Sequence, residues 1–106
     1  MLTVVETEFF SRLVSDYWNE SDREAFAAYL ACNPDAGDVV PRSGGLRKIR
    51  WSRPGMGKRG GVRVIYYNRM AKGQIWLLLI YAKSADDNIP AYVLSKLREA
   101  LEYDED

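Results

Sequence analysis

The chain has 106 residues, 47% of them hydrophobic and 12% aromatic, with fifteen basic and fifteen acidic side chains, one cysteine and no histidine. That fits one folded domain, 1–106, rather than a disordered chain, and the longest apolar run, Ile75 to Ala82, is too short to span a bilayer. The zero net charge hides a strong asymmetry. Residues 39–85 carry eleven Lys or Arg and no acid, whereas the flanks hold all fifteen acids. A basic middle between acidic flanks suits a surface that holds polyanion phosphate, against the plainer reading of a solvated sheet face.

In chain order, Thr3, Val4 and Val5 predict a short buried strand. Phe9, Phe10, Leu13, Val14 and Tyr17 recur at helical spacing, with Thr7 as N-cap and Glu8 in the first turn. Ser21-Asp22-Arg23-Glu24 has the form of a capping box, followed by Phe26, Tyr29 and Leu30 on one face of a second helix that Asn33-Pro34 stops. Beyond the Gly44-Gly45 breaker, Leu46 to Trp51 alternates as a strand, with Ile49 and Trp51 pointing one way and Lys48 and Arg50 the other. Residues 52–61 hold four glycines with Arg53, Lys58 and Arg59, a basic loop. Val62 to Tyr67 and Gln74 to Ala82 read as two more strands joined at Lys72-Gly73, which implies an antiparallel meander. Asp86 to Asn88 cap a last helix with Pro90 in its first turn and Val93, Leu94, Leu97 and Leu101 on its buried side. The expected architecture is α+β, with two N-terminal helices packed on a mainly antiparallel sheet whose other face is partly open.

Which chemistry is left open follows from composition. Without histidine there is no Ser–His–Asp triad, no histidine acid–base pair and no His-containing zinc site. The single Cys32 excludes an internal disulfide and a thiolate metal cluster, so neither metal nor cofactor is expected. The N-terminus lacks a basic-then-apolar leader, and the expected location is the cytoplasm. Proton transfer would fall to Lys, Arg, Tyr or a carboxylate. Lys48 and Arg50 are two apart on one strand, Arg63 and Tyr67 four apart on the next, and Lys83 closes the third. Strands about 5 Å apart bring such side chains towards one phosphate. Arg offers a planar fork of donors, and Lys a compact charge that crowding by other cations makes more acidic. Trp51 and Trp76 are expected in the core, and one of Tyr66 and Tyr67 is expected to face inward.

The runs Gly44-Gly45-Leu46-Arg47-Lys48-Ile49-Arg50-Trp51, Gly57-Lys58-Arg59-Gly60-Gly61-Val62-Arg63-Val64-Ile65-Tyr66-Tyr67 and Leu79-Ile80-Tyr81-Ala82-Lys83 resemble the RelE/ParE superfamily of toxins, above all the HigB-like branch of the RelE toxins. The likeness covers essentially the whole chain, and the family's element order is β-α-α-β-β-β-α. It implies the toxin of a type II toxin–antitoxin module, a ribosome-dependent and metal-independent endoribonuclease that cuts mRNA in the A site. It also implies a cognate antitoxin, often of helix-turn-helix type, with the ribosome and mRNA as further partners. Carried over by position, Lys48, Arg50, Arg63 and Lys83 are the catalytic candidates, Arg63 being the position thought to stabilise the transition state. Arg47, Lys58, Arg59 and Tyr67 are the RNA-binding candidates. The chain departs from RelE at Ser84, where RelE has an arginine, and around Pro90, where the nearest aromatic is Tyr92. The identity of acid and base stays open there. The competing expectation is a ParE-like toxin, which shares the fold but poisons DNA gyrase without nuclease activity.

Overall fold

The structure is a computed structural model that describes residues 2–51, 61–82 and 89–103. Strand β1 (Thr3–Glu6) leads into helix α1 (Glu8–Leu13), a 3-10 turn (Val14–Asp16) and helix α2 (Glu20–Cys32). Strands β2 (Asp38–Val39), β3 (Arg47–Trp51), β4 (Val62–Arg69) and β5 (Gln74–Ala82) follow, then helix α3 (Ala91–Tyr103). They form one five-stranded sheet in the order β1-β5-β4-β3-β2. Only the β1–β5 pair is parallel; β2–β3, β3–β4 and β4–β5 are antiparallel. The α+β class and mainly antiparallel sheet are as the sequence predicts. Among the described residues, no helix is long and apolar enough to cross a membrane.

The local chemistry explains the helix ends. Thr7 caps α1, its hydroxyl oxygen accepting from the Phe10 N–H at 3.2 Å. Helix α2 begins earlier than the capping-box pattern implies: Asn19 is the N-cap, and its side chain accepts from the Asp22 N–H at 2.8 Å. An Asn side-chain oxygen caps the N–H three residues on as well as a serine hydroxyl does. Asn33 ends α2, as expected. Pro90 precedes α3 rather than sitting in its first turn, and its carbonyl accepts from the Val93 and Leu94 N–H groups.

Alternation along the strands sorts side chains into two cores. On one face, Phe10, Val14, Phe26 and Leu30 from the helical half pack on Ile49, Val64, Tyr66, Ile75, Leu77 and Ile80. On the other, Leu94 and Leu101 of α3 pack on Leu46, Ile65, Leu78 and Tyr81. Each such fully buried side chain stabilises the fold by about 1.5–3 kcal/mol. The register slips between Ile65 and Tyr66, opposite Leu79 and Leu77, and leaves Leu78 as the extra residue. This bulge is what turns Leu78 into the α3-side core beside Leu79.

Several expectations change. Phe9 and Tyr29, read as helix-face core residues, are 49% and 42% exposed. Trp51 and Trp76 are half-buried at the margins of the two cores rather than inside them. Strand β1 is an edge strand and only half-buried, and the two-residue β2 was not foreseen. Tyr66 is the inward tyrosine, with no exposed surface.

Candidate functional site

Register decides which basic residues meet. In the β3–β4 pair, Arg50 stands opposite Arg63, Lys48 opposite Ile65 and Arg47 opposite Tyr66. Cross-strand partners share a face and successive residues alternate, so Lys48, Arg50 and Arg63 lie together on the α3 side. Tyr81 continues the row beyond Arg63, and Tyr67 lies further along the same face. Arg50 is exposed, Lys48 half-exposed and Arg63 only 4% exposed. The cluster therefore has layers: Arg63 is almost sealed from solvent on the face that α3 packs against, with Arg50 and Lys48 nearer the surface. Cationic charge in such surroundings is screened less than it would be in open water.

The other candidates divide. Arg47 does not join the cluster. It projects to the opposite face, donates to the Gly37 carbonyl at 2.7 Å and pairs with Asp35 at 3.3 Å. The strand's own alternation already carried that signal, because Arg47 keeps phase with Ile49 and Trp51. Tyr67 shares the cluster's face, but Arg98 of α3 engages it, donating to the Tyr67 hydroxyl at 2.8 Å and lying 4.1 Å from its ring centroid. Gly44 and Gly45, both at positive φ, let the preceding loop close on this pair. A Cβ at Gly44 would meet the Arg98 Cγ at 2.9 Å. Lys83, Lys58 and Arg59 lie outside the described residues.

Tyr66, the other tyrosine considered as a phenol, is structural. Its hydroxyl accepts from the Gly37 N–H at 2.9 Å and donates to the Pro34 carbonyl at 2.7 Å. Burial raises its pKa above the ordinary value, against the lowering effects of the Gly37 bond and the Arg47 charge. The phenol stays protonated.

Beside the cluster, the outer edge of β3 borders a cleft of about 320 Å³. Lys48, Ile49, Arg50 and Trp51 form one wall, with Tyr29 of α2 and Asp38 of β2 facing them. Strand β2 pairs with β3 only at Arg47 and Lys48, which leaves Ile49 to Trp51 bordering this space. Reasoning from sequence missed Tyr29 and Asp38. Tyr29 lies three residues from buried Phe26 and one from buried Leu30, at the margin of the apolar stripe, where periodicity does not separate core from rim. Among the described residues, no group of three or more Cys, Asp or Glu is placed to hold a metal ion.

No protein-family model matches the chain.

Proposed function

We propose that this protein is the toxin of a type II toxin–antitoxin module, with a RelE-like fold of the HigB branch, acting in the cytoplasm as a ribosome-dependent, metal-independent endoribonuclease on mRNA. The observation that carries the reading is the register placing Arg50 opposite Arg63, with Lys48 on the same face. These are three cationic side chains on one sheet face, and their guanidinium and ammonium donors suit the oxygens of a phosphate.

Cleavage without a metal needs three things: the 2′-hydroxyl deprotonated for attack on phosphorus, the phosphorane dianion neutralised, and the 5′-oxygen protonated as it leaves. The products are a 2′,3′-cyclic phosphate and a 5′-hydroxyl. Arg50, at the surface, takes the phosphate oxygens with its planar fork, and Arg63 supports the growing negative charge from beneath. Lys48 or Lys83 moves the protons. Lys58 and Arg59 hold flanking RNA or ribosomal phosphates. With no histidine to serve as base, substrate alignment must supply most of the rate, and the ribosomal A site provides it. The neutralising partner is an adjacent antitoxin, of the helix-turn-helix kind.

The test is inducible expression followed by pulse-labelling of protein and DNA. Protein synthesis should stop first, and Arg50→Ala should relieve the arrest. Replication stopping first would instead favour the gyrase-poisoning alternative.

A further inference from the structure

We propose that the cleft along the outer edge of β3 is a nucleobase subsite, in which Tyr29 stacks on the base of a single-stranded RNA nucleotide adjoining the bound phosphate and Asp38 reads that base. The inference rests on the phosphate-binding reading of Lys48 and Arg50, because both residues line the cleft as well as the cluster's face.

Tyr29 is 42% exposed at the rim of a helix face whose Phe26 and Leu30 are fully buried. It is nonetheless held in place: its centroid lies 5.2 Å from that of Trp51, tilted by 47°, and Trp51 is braced edge-on at 5.2 Å by buried Phe26. A fixed ring with an open side is what base stacking requires, since stacking gains little if the platform must first be ordered.

The aromatic pair and the two cations converge on one cleft, so a chain whose phosphate sits at Lys48 and Arg50 has its neighbouring base within reach of the platform. Alternating cation and aromatic contacts are how single strands are held without a duplex. Asp38 is exposed, lines the same cleft and pairs in register with Lys48. A carboxylate accepts hydrogen bonds and donates none, and of the four RNA bases guanine alone presents two adjacent N–H donors on its Watson–Crick edge. The subsite therefore favours guanine.

The experiment uses the full chain and 2′-O-methyl RNA heptamers, which cannot be cleaved, carrying guanine, adenine, uracil or an abasic unit at the central position. Affinities are measured for the wild type and for the Tyr29→Ala, Tyr29→Phe, Asp38→Asn and Arg50→Ala variants, each checked by thermal unfolding. The abasic unit should weaken wild-type binding about tenfold, the order expected for one base–aromatic stack. Tyr29→Ala should abolish that difference, Tyr29→Phe should keep it, and Asp38→Asn should remove the preference for guanine. Equal wild-type affinity for guanine and abasic heptamers, with Arg50→Ala still weakening both, overturns the subsite and leaves the phosphate site standing. Base discrimination that survives while Arg50→Ala changes nothing overturns the phosphate reading instead. No binding of any heptamer by the wild type overturns both.

Discussion

Arg50 and Arg63 are direct cross-strand partners on β3 and β4, and Arg63 is almost sealed from solvent at 4% exposure. Like charges directly opposite one another on adjacent strands destabilise a sheet. Removing the exposed member should therefore stabilise the protein. Arg50→Ala is expected to raise the urea midpoint slightly. Inorganic phosphate should raise the wild-type Tm through linkage, and this gain should vanish in the variant. Equal phosphate stabilisation of both proteins would place the anion elsewhere.

The Tyr66 hydroxyl ties the loop before β2 to the sheet through Gly37 and Pro34. Tyr66→Phe leaves the buried Gly37 N–H without its acceptor, a loss of about 1–3 kcal/mol. The Pro34 carbonyl keeps a bond from the Asn68 amide at 2.9 Å, so the cost falls on the Gly37 side. Gly37→Ala should cost at least as much, because its Cβ would lie 2.9 Å from the Lys48 carbonyl oxygen and the Tyr66 hydroxyl. Chemical denaturation of both variants measures the effect.

Stability should fall in acid partly through Glu6. Hydrogen bonding from Arg23, whose Nε donates to Oε2 at 2.7 Å, holds the Glu6 carboxyl below its ordinary value. Burial opposes that shift, and the Ser11 hydroxyl, donating at 2.9 Å, adds to it. A depressed folded-state pKa means stabilisation that is complete above the usual glutamate value of about 4.3 and is lost as the pH falls through the lower folded value. Urea midpoints of the wild type and Glu6→Gln should differ at about pH 6 and converge as the pH falls below the ordinary glutamate value of about 4.3. Parallel curves over that range would show that the pair contributes nothing to acid sensitivity.

RNA binding should weaken steeply with salt. Each phosphate neutralised on a single strand contributes about 0.7 to the slope of log affinity against log salt. Lys48→Ala should lower that slope by about one such increment, while Arg47→Ala, on the opposite face, should leave it unchanged. Titrations at several salt concentrations decide it. A reduced slope for Arg47→Ala would mean that RNA phosphates reach the helical face beyond the cleft.

Much of this was legible before the structure. Alternation along Lys48, Ile49, Arg50 and Trp51 already separated cations from core, and the strand from Gln74 to Ala82 has the bounds the apolar run implies. The bulge at Leu78 was invisible, because a continuous apolar run has no alternation to interrupt. The burial of Arg63 was also hidden: a strand pattern gives the face a residue takes but not what lies over it. The two-residue β2 depends on a long-range tie, Arg47 donating to the Gly37 carbonyl and the Tyr66 hydroxyl accepting the Gly37 N–H. Local propensity at Asp38 and Val39 carries no trace of it. Tyr29 was misplaced for a geometric reason, since the rim of a helical stripe is where core and surface share one spacing.

The most direct test is primer extension on an mRNA under translation in the presence of the wild type or Arg50→Ala. The wild type should leave 5′ ends in register with codons, and the folded variant should leave none. An mRNA that stays intact with the wild type, or is cut equally by the variant, would contradict a phosphate-cleaving role for the paired arginines.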